Sequence, residues 1–481
     1  MTSIDNSDLK VKDLSFINNI KSAAVIGPSK RRDYFFLKSH QENFQGPLYA
    51  ITPYAKQIPG FDDGTQGKIY SSLRDVPGEV DFVFIAVPQS QILDVMSDCA
   101  EKGVKLASVF TAEFSDSGTQ EGRELEKELL KRAQDKVRIL GQNGMGMSCQ
   151  KLGIAWRPKF PKTQGNIGLI AQSGGMCNIA TYMSMSLGIN FSKIFSFGNG
   201  ADTDLVDLLY YLSNDPETEI ILIYVEGIKE GRGKELRKVI AQNKKPIIIL
   251  RGGRTDSGAV AAKTHTAAIS GKGEIWKGII EQFNLIEVES LEQLMYAAKL
   301  IEFYGLFNVK NVAVLSISGG YGVIMVDLLE KYGIHVPPSF SPGIQEQIKS
   351  QFFTKGTSPK NPLDISAQLF ASDSVQNIID LALSDNIIDG LIMDLPSWYF
   401  SQDFHIRKNS TFERAMIKCF FLGKKHGKPL IPILQRVNCP EDRARVVKKL
   451  TEGKVPVFGD PLEFIPLLPK ISKYSRKTLN I

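Results

Sequence analysis

The chain has 481 residues, 43% of them apolar and 23% charged, with a formal net charge of +6. At about 150 residues per domain this length accommodates roughly three domains, and the composition is that of a globular protein rather than a disordered chain. The basic residues are dispersed, with no basic run interleaved with aromatics, so nucleic acid is not an expected partner. No stretch reaches 18 uninterrupted apolar residues, so no membrane-spanning helix is expected, and the polar start Met1–Asp8 has no apolar signal core. Five scattered cysteines without a CxxC pair predict neither a disulfide framework nor a zinc site, and the expected compartment is the cytoplasm.

The first strand, Ser22–Ile26, ends in Gly27-Pro28-Ser29-Lys30-Arg31-Arg32. Strands at Pro47–Pro53, Val80–Pro88, Leu106–Thr111 and Val137–Gly141 follow, with helical patterns at Gln91–Lys102 and Glu121–Gln134 between them. Apolar strands alternating with helices predict a parallel, Rossmann-like sheet. There is no G-x-G-x-x-G, and Thr52-Pro53 stands where a ribose-binding acid would follow the second strand, which argues against a nicotinamide dinucleotide. By itself the basic triplet is equally well a solvated loop.

Pro158, Pro161 and the polar run 162–166 mark a linker. The strand from Ile167 then runs into Ser173-Gly174-Gly175, and a helix follows whose Met176, Ile179, Met183 and Leu187 form a stripe expected to face the core. The segment Gly198–Asp204 is read as capping the next helix in preference to binding a metal. Glu226 closes the apolar strand Glu219–Ile228 and has two readings: a helix-cap acid, or a carboxylate that accepts an imidazole N–H. The strand Pro246–Leu250 leads through Arg251–Arg254 to Ala261–Gly271, a segment of small residues around His265, expected to be a loop beyond the carboxyl end of that strand.

The chain restarts at Val312–Ile317 and Ser318-Gly319-Gly320, followed by strands Gly390–Asp394 and Pro429–Leu434, with Val455–Phe458 expected to close the sheet. Asn361-Pro362-Leu363-Asp364 is read as a loop near a domain interface. His335, His405 and His426 are read as structural or exposed, and the basic tail Lys470–Ile481 as loose. Bare backbone N–H groups at a helix start make an anion site. Two strand–Ser-Gly-Gly–helix units beside a histidine among small residues therefore point to a phosphohistidine held between two helix starts.

With these motifs in this order, over roughly residues 20–470, the chain resembles the α subunit of the nucleoside-diphosphate-forming acyl-CoA synthetases, of the ADP-forming acetate–CoA ligase type, relatives of succinyl-CoA synthetase. The resemblance implies an α/β fold: a Rossmann-like CoA-binding domain (1–150), a flavodoxin-like, doubly wound ligase domain carrying the phosphohistidine (160–305) and a second flavodoxin-like CoA-ligase domain (310–470). It implies that His265 carries phosphate and that Glu226 orients it. Phosphate would lie at Ser173, Gly174 and Gly175 and at Ser318, Gly319 and Gly320. CoA would lie against Gly27, Ser29, Lys30, Arg31, Thr52, Pro53, Lys56, Val87, Pro88, Thr111 and Asn143, and no metal is expected in this chain.

The two-domain ATP-grasp fold of the family is missing from the sequence. ADP or ATP with Mg2+ is accordingly expected on a β subunit, in a hetero-oligomer of α2β2 form, acting on acyl-CoA, phosphate and a small carboxylic acid. Two departures from the family pattern stand out: Asp33-Tyr34-Phe35-Phe36 lacks a second loop glycine, and Gly141-Gln142-Asn143-Gly144 replaces Gly-Pro-Asn-Cys. The rival readings are a succinate-type CoA ligase subunit, a non-catalytic CoA-binding regulator and a nicotinamide dehydrogenase.

Overall fold

The computed structural model describes residues 9–61, 67–266, 273–400, 410–437 and 439–479, except for the side chains of 263–266, 273–275, 367 and 410–413. The chain condenses into two compact units, one of Met1–Met185 with Asn190–Leu291 and the other of Ser186–Ile189 with Glu292–Ile481.

The first unit holds two sheets. One contains β1 (Ala23–Ile26), β2 (Leu48–Ile51), β3 (Gly67–Tyr70), β4 (Phe82–Ile85), β5 (Leu106–Val109) and β6 (Arg138–Gly141), in the spatial order β3-β2-β1-β4-β5-β6. All its pairings are parallel. Strands β1, β4, β5 and β6 are buried along their whole length, the outcome of short unbroken apolar runs when helices cover both faces. This is the doubly wound order of dinucleotide-binding folds, and its strand order reverses between β1 and β4, where a crevice opens at the carboxyl ends.

The second sheet contains β7 (Gly146–Cys149), β8 (Ile167–Ala171), β9 (Phe191–Ser196), β10 (Ile220–Val225), β11 (Ile247–Arg251) and β12 (Ile286–Val288), in the order β12-β11-β10-β8-β9-β7. Counted from β8, this is the flavodoxin-like order, with its switch point between β8 and β10. Only β7, on the edge, runs antiparallel. The helix Leu205–Asn214 between β9 and β10 starts on a capping box, the Asp204 carboxylate accepting from the N–H of Val206 at 2.8 Å and Asp207 at 3.3 Å. Capping is therefore what Asp204 does, as expected.

The second unit holds β13 (Val312–Ser316), β14 (Leu363–Asp364), β15 (Gly390–Asp394) and β16 (Leu430–Ile433), parallel and ordered β14-β13-β15-β16. Phe458 adds a single parallel bridge to Ile433, so Val455–Phe458 lies along that edge without forming a strand. The order is again flavodoxin-like, with the switch between β13 and β15.

Four expectations are corrected. The segment Asn361–Asp364 is not a loop: Leu363–Asp364 is the edge strand β14, and the buried Asn361 side chain bonds both Val314 N and Val312 O, knitting it to β13. The tail is not loose: Leu468–Leu479 is a helix burying Leu468, Ile471, Tyr474 and Ser475, an apolar face at helical spacing that its charge obscures. In the helix Gly174–Leu187 the buried face is Cys177, Ala180, Thr181, Ser184 and Leu187, while Ile179 is 51% exposed. Small residues let the helix lie close on the sheet, so of the larger apolar stripe Leu187 faces the core as expected, Met176 and Met183 are half-buried and Ile179 turns outward. Finally, His265 is not in a loop but in the last turn of the helix Asp256–Thr266. Alanines 259, 261 and 262 favour helix, and the Thr255 hydroxyl accepts from Gly258 N at 3.1 Å at its start. The rest of the expected loop, 267–271, and the His265 side chain lie outside the described residues, as does His405.

His335 and His426 pair with Glu330 and Asp380. His40 is different. It is 1% exposed among Phe82 and Phe84, its Nδ1–H donates to Phe36 O at 2.7 Å, and its Nε2 has no partner among the described residues. Burial pushes its pKa down to about 4, offset in part by the bond to Phe36. The unfolded chain therefore takes up a proton near pH 6.5 that the folded chain refuses until about pH 4. Stability falls as pH drops through that window, by about 3 kcal/mol in full. In urea titrations at pH 7 and 4.5, wild type should lose roughly 2–3 kcal/mol more than His40→Leu; equal losses contradict this.

Candidate functional site

The crevice at the β1/β4 switch point is a cavity of about 1100 Å³. This is at the top of the range of about 300–1000 Å³ for ligand sites. Ten of the eleven expected cofactor residues line it: Gly27, Ser29, Lys30 and Arg31 after β1, Thr52 and Pro53 after β2, Val87 and Pro88 after β4, Thr111 after β5 and Asn143 after β6. Lys56 is exposed and does not line it, although Tyr54 and Ala55 just before it do. The wall also includes Tyr34, Phe35, Phe36 and Phe110, which sequence reasoning passed over; the aromatic run 34–36 was the available signal. The Arg32 guanidinium lies 5.7 Å over the Phe110 ring, and Thr111 Oγ1 donates to Val87 O at 2.7 Å, tying neighbouring loops together. The cavity wall thus combines cationic and aromatic side chains.

Phe110 and Asn143 belong also to a second, smaller cavity of about 240 Å³ at the carboxyl end of β8. Ser173, Gly174 and Gly175 form its floor at the start of the helix Gly174–Leu187. Ser173 Oγ accepts from Met176 N at 3.4 Å, capping the helix. A Cβ on Gly174 would come within 2.6 Å of Met145 Cγ, whereas one on Gly175 would meet only Ser173 Oγ at 3.7 Å, so the Gly175 backbone faces open space. Every side chain lining this cavity is uncharged.

Across the switch point, Glu226 follows β10, 8% exposed. Gln172 Oε1 accepts from Glu226 N at 2.9 Å, and Tyr224 OH donates to Glu226 Oε1 at 3.0 Å. Burial, then the Glu226 charge, pushes the Tyr224 phenol up, so it stays protonated as that donor. Gly252, after β11, passes beside Glu226: a Cβ there would lie 3.1 Å from Glu226 Cγ. The backbone that leads into the His265 helix therefore starts at this carboxylate.

A CoA binding domain model matches residues 21–150, and a succinyl-CoA ligase like flavodoxin domain model matches 164–301. The ADP-forming acetate–CoA ligase II subunit alpha of Pyrococcus furiosus is 32% identical over 79% of this chain and 81% of its own length. The chain belongs to the ADP-forming acetate–CoA ligase family. Subunit alpha of the same organism's enzyme I is 28% identical over 96% of this chain and 98% of its own length. Other relatives are longer: the chain spans 49% of the Methanocaldococcus jannaschii acetate–CoA ligase, at 32% identity, and 63% of enzyme I of Archaeoglobus fulgidus, at 28%. A structure titled as the dinucleotide forming acetyl-coenzyme A synthetase 1 of Ca. Korarchaeum cryptofilum, in complex with phosphate and ADP, superposes with a TM-score of 0.80 at 28% identity, covering 97% of this chain and 98% of that one.

The first departure from the family pattern is accommodated in the backbone. Asp33 and Tyr34 take the left-handed φ values of 48° and 53° without a glycine to supply them, and Asn143 does the same at 54°. Gln142, at the family's proline position, is fully buried, and neither end of its amide meets a partner among the described residues.

In the second unit the acetate–CoA ligase pattern places Ser318 at the start of the helix Gly319–Lys331, its Oγ accepting from Tyr321 N at 3.4 Å. Carboxylates flank this turn, which the sequence did not foretell. A Cβ on Gly319 would lie 2.9 Å from Asp364 Oδ2, and Asp394, at the end of β15, accepts from Gln435 Nε2 at 2.8 Å and Ser316 Oγ at 3.4 Å. Burial pushes the Asp394 carboxyl up to about 6, against those two hydrogen bonds. Asp394 follows the third sheet's switch strand much as Glu226 follows the second's. No group of three or more His, Cys, Asp or Glu side chains suited to a metal occurs among the described residues, and no helix among them is long and apolar enough to cross a membrane.

Proposed function

We propose that this chain is the CoA-binding, phosphohistidine-carrying α subunit of an ADP-forming acyl-CoA synthetase, catalysing acyl-CoA + phosphate + ADP = carboxylate + CoA + ATP reversibly. The observation that carries this reading is the adjacency of the two cavities. Phe110 and Asn143 wall both the large crevice with its basic rim and the small one floored by Ser173, Gly174 and Gly175. A CoA thioester in the first has its acyl end at an anion-binding helix start in the second.

Hydrogen phosphate attacks the thioester carbonyl, giving acyl phosphate and free CoA. His265 attacks the phosphorus and releases the carboxylate, with Glu226 accepting the N–H of the other ring nitrogen so that the attacking one is unprotonated. ADP with Mg2+ on an ATP-grasp β subunit then takes the phosphoryl group. The backbone N–H groups of Gly174 and Gly175 neutralise charge on the group in transit, a role shared with Gly319 and Gly320 of the second unit. The acid is a short-chain one, the assembly an α2β2 hetero-oligomer and the compartment the cytoplasm. The domains of this reading are 1–150, 160–305 and 310–470, although β7, inside the first range, pairs with β9 of the second sheet. The likeness to two Pyrococcus alpha subunits, and to a synthetase structure in complex with phosphate and ADP, supports this reading.

The test is a panel of acyl-CoAs presented to the chain alone and with an ATP-grasp subunit. Repeated-turnover CoA release that needs phosphate, ADP and the second subunit together is the expected result, whereas a single turnover of CoA release needs phosphate alone. Full turnover by the isolated chain, or release indifferent to phosphate, defeats the proposal.

A further inference from the structure

The small cavity contains a side chain whose orientation is fixed from behind. Asn178 lies one turn into the helix Gly174–Leu187 and lines the cavity with Gly174 and Gly175. Helical side chains lean toward the N-terminus, which carries Asn178 back over those glycines. Its Oδ1 accepts from Trp156 Nε1 and from Arg157 Nε, both at 2.9 Å. Both groups can only donate, so the amide atom facing them must be the oxygen. The Nδ2 hydrogens are therefore turned away from Trp156 and Arg157, and Nδ2 has no partner among the described residues. The two donors are themselves held. Trp156 is fully buried with its ring 5.5 Å from that of Phe160, and the Arg157 guanidinium lies 5.7 Å over the ring of Phe35, which lines the large cavity.

We propose that Asn178 is a catalytic residue of the acyl half-reaction, its Nδ2–H donating to the thioester carbonyl oxygen, with Trp156 and Arg157 as its positioning residues. This rests on the acyl-CoA synthetase reading above. When an oxygen of hydrogen phosphate bonds to the carbonyl carbon, the carbonyl π pair moves onto the oxygen that Asn178 holds. As the tetrahedral adduct collapses, the C–S bond breaks, its pair leaves with sulfur, and the proton of the hydrogen phosphate passes to the thiolate. Acyl phosphate and CoA thiol result. A fixed amide donor is worth most at the moment the oxygen is charged, because it needs no reorganisation to meet it. With no cationic side chain lining this cavity, the work falls to neutral donors.

Asn178→Asp is the decisive variant: it keeps an oxygen for Trp156 and Arg157 and replaces the donor by an anion of the same shape. Single-turnover, phosphate-dependent CoA release from acetyl-CoA should fall by roughly 10²-fold or more, with the CoA dissociation constant within about threefold of wild type. Asn178→Ala should fall similarly. In parallel, the infrared carbonyl stretch of 13C-labelled acetyl-CoA bound to the chain should lie below its value in water and return toward that value in Asn178→Asp. A wild-type stretch equal to that of free acetyl-CoA, or a shift that survives both substitutions, overturns the proposal. So does unchanged CoA release in Asn178→Asp. The infrared arm requires only binding, so Asn178 is judged even if the chain proves not to turn over with phosphate and ADP.

Discussion

Replacing His265 by alanine should abolish phosphoryl transfer between acyl phosphate and ADP while sparing the step before it. On the proposed sequence His265 is the only group of this chain that bonds to phosphorus, so no parallel route remains and the overall rate should fall by about four orders of magnitude or more. Phosphate-dependent CoA release in a single turnover does not involve the imidazole and should persist, leaving acyl phosphate to accumulate. In the reverse direction, ATP labelled at its γ-phosphate should mark the wild-type chain in the presence of its partner with an acid-labile, base-stable label, and should not mark His265→Ala. Of the five histidines, His40 is sealed among aromatics, His335 and His426 are tied to carboxylates, and His405 lies outside the described residues. The helix bearing His265 instead grows from the backbone that passes Glu226 at the second sheet's switch point. A label that survives in His265→Ala sinks the role of this residue; loss of CoA release along with the label would point to collapse of the site instead.

The second large effect is expected at Gly27. Its φ is +82°, where an L side chain is strained, and a Cβ would come within 2.7 Å of Ala86 O and 2.8 Å of Val87 Cγ1. Both contacts lie on the loop after β4, which forms the opposite wall of the large cavity. Gly27→Ala therefore adds about 1–2 kcal/mol of backbone strain and pushes apart the two strands between which CoA is proposed to bind. The dissociation constant for CoA should rise by about 100-fold or more, about 2.7 kcal/mol. Gly103 is the matched control: it has φ +76° at the end of the helix Ile92–Lys102 and nothing within 4 Å of an added Cβ. Gly103→Ala should cost stability by strain alone and leave CoA affinity unchanged, as read by calorimetry and thermal unfolding. Equal affinity for the Gly27→Ala and Gly103→Ala proteins would mean that CoA does not use this crevice.

Much of the site was legible in the residues because its elements are local. Unbroken apolar runs ending in Gly27, in Ser173-Gly174-Gly175 and in Ser318-Gly319-Gly320 mark strand ends followed by helix starts. Such junctions are set by a few adjacent residues, the apolar period and the glycine backbone. The same locality explains the failures. Charge in Lys470–Ile481 hid an apolar face that is defined only by what the helix packs against. The stripe Met176, Ile179, Met183, Leu187 has helical spacing, yet which stripe turns inward depends on the sheet beneath, and small Cys177, Ala180 and Ser184 won that place. The alanines near His265 signalled helix, but the small residues around it were read as a loop.

The sequence by itself determined three alternating α/β regions, the glycine turns and the family resemblance, which follow from chain-adjacent pattern, and through that resemblance ten residues that line the large cavity. Only the tertiary structure decided that Phe110 and Asn143 join two cavities, that Asp364 and Asp394 crowd the Ser318 turn, and that Trp156 and Arg157 fix the amide of Asn178. Those relations join residues far apart in the chain. Their strength depends on distance and burial after folding, quantities to which no run of neighbouring residues gives access.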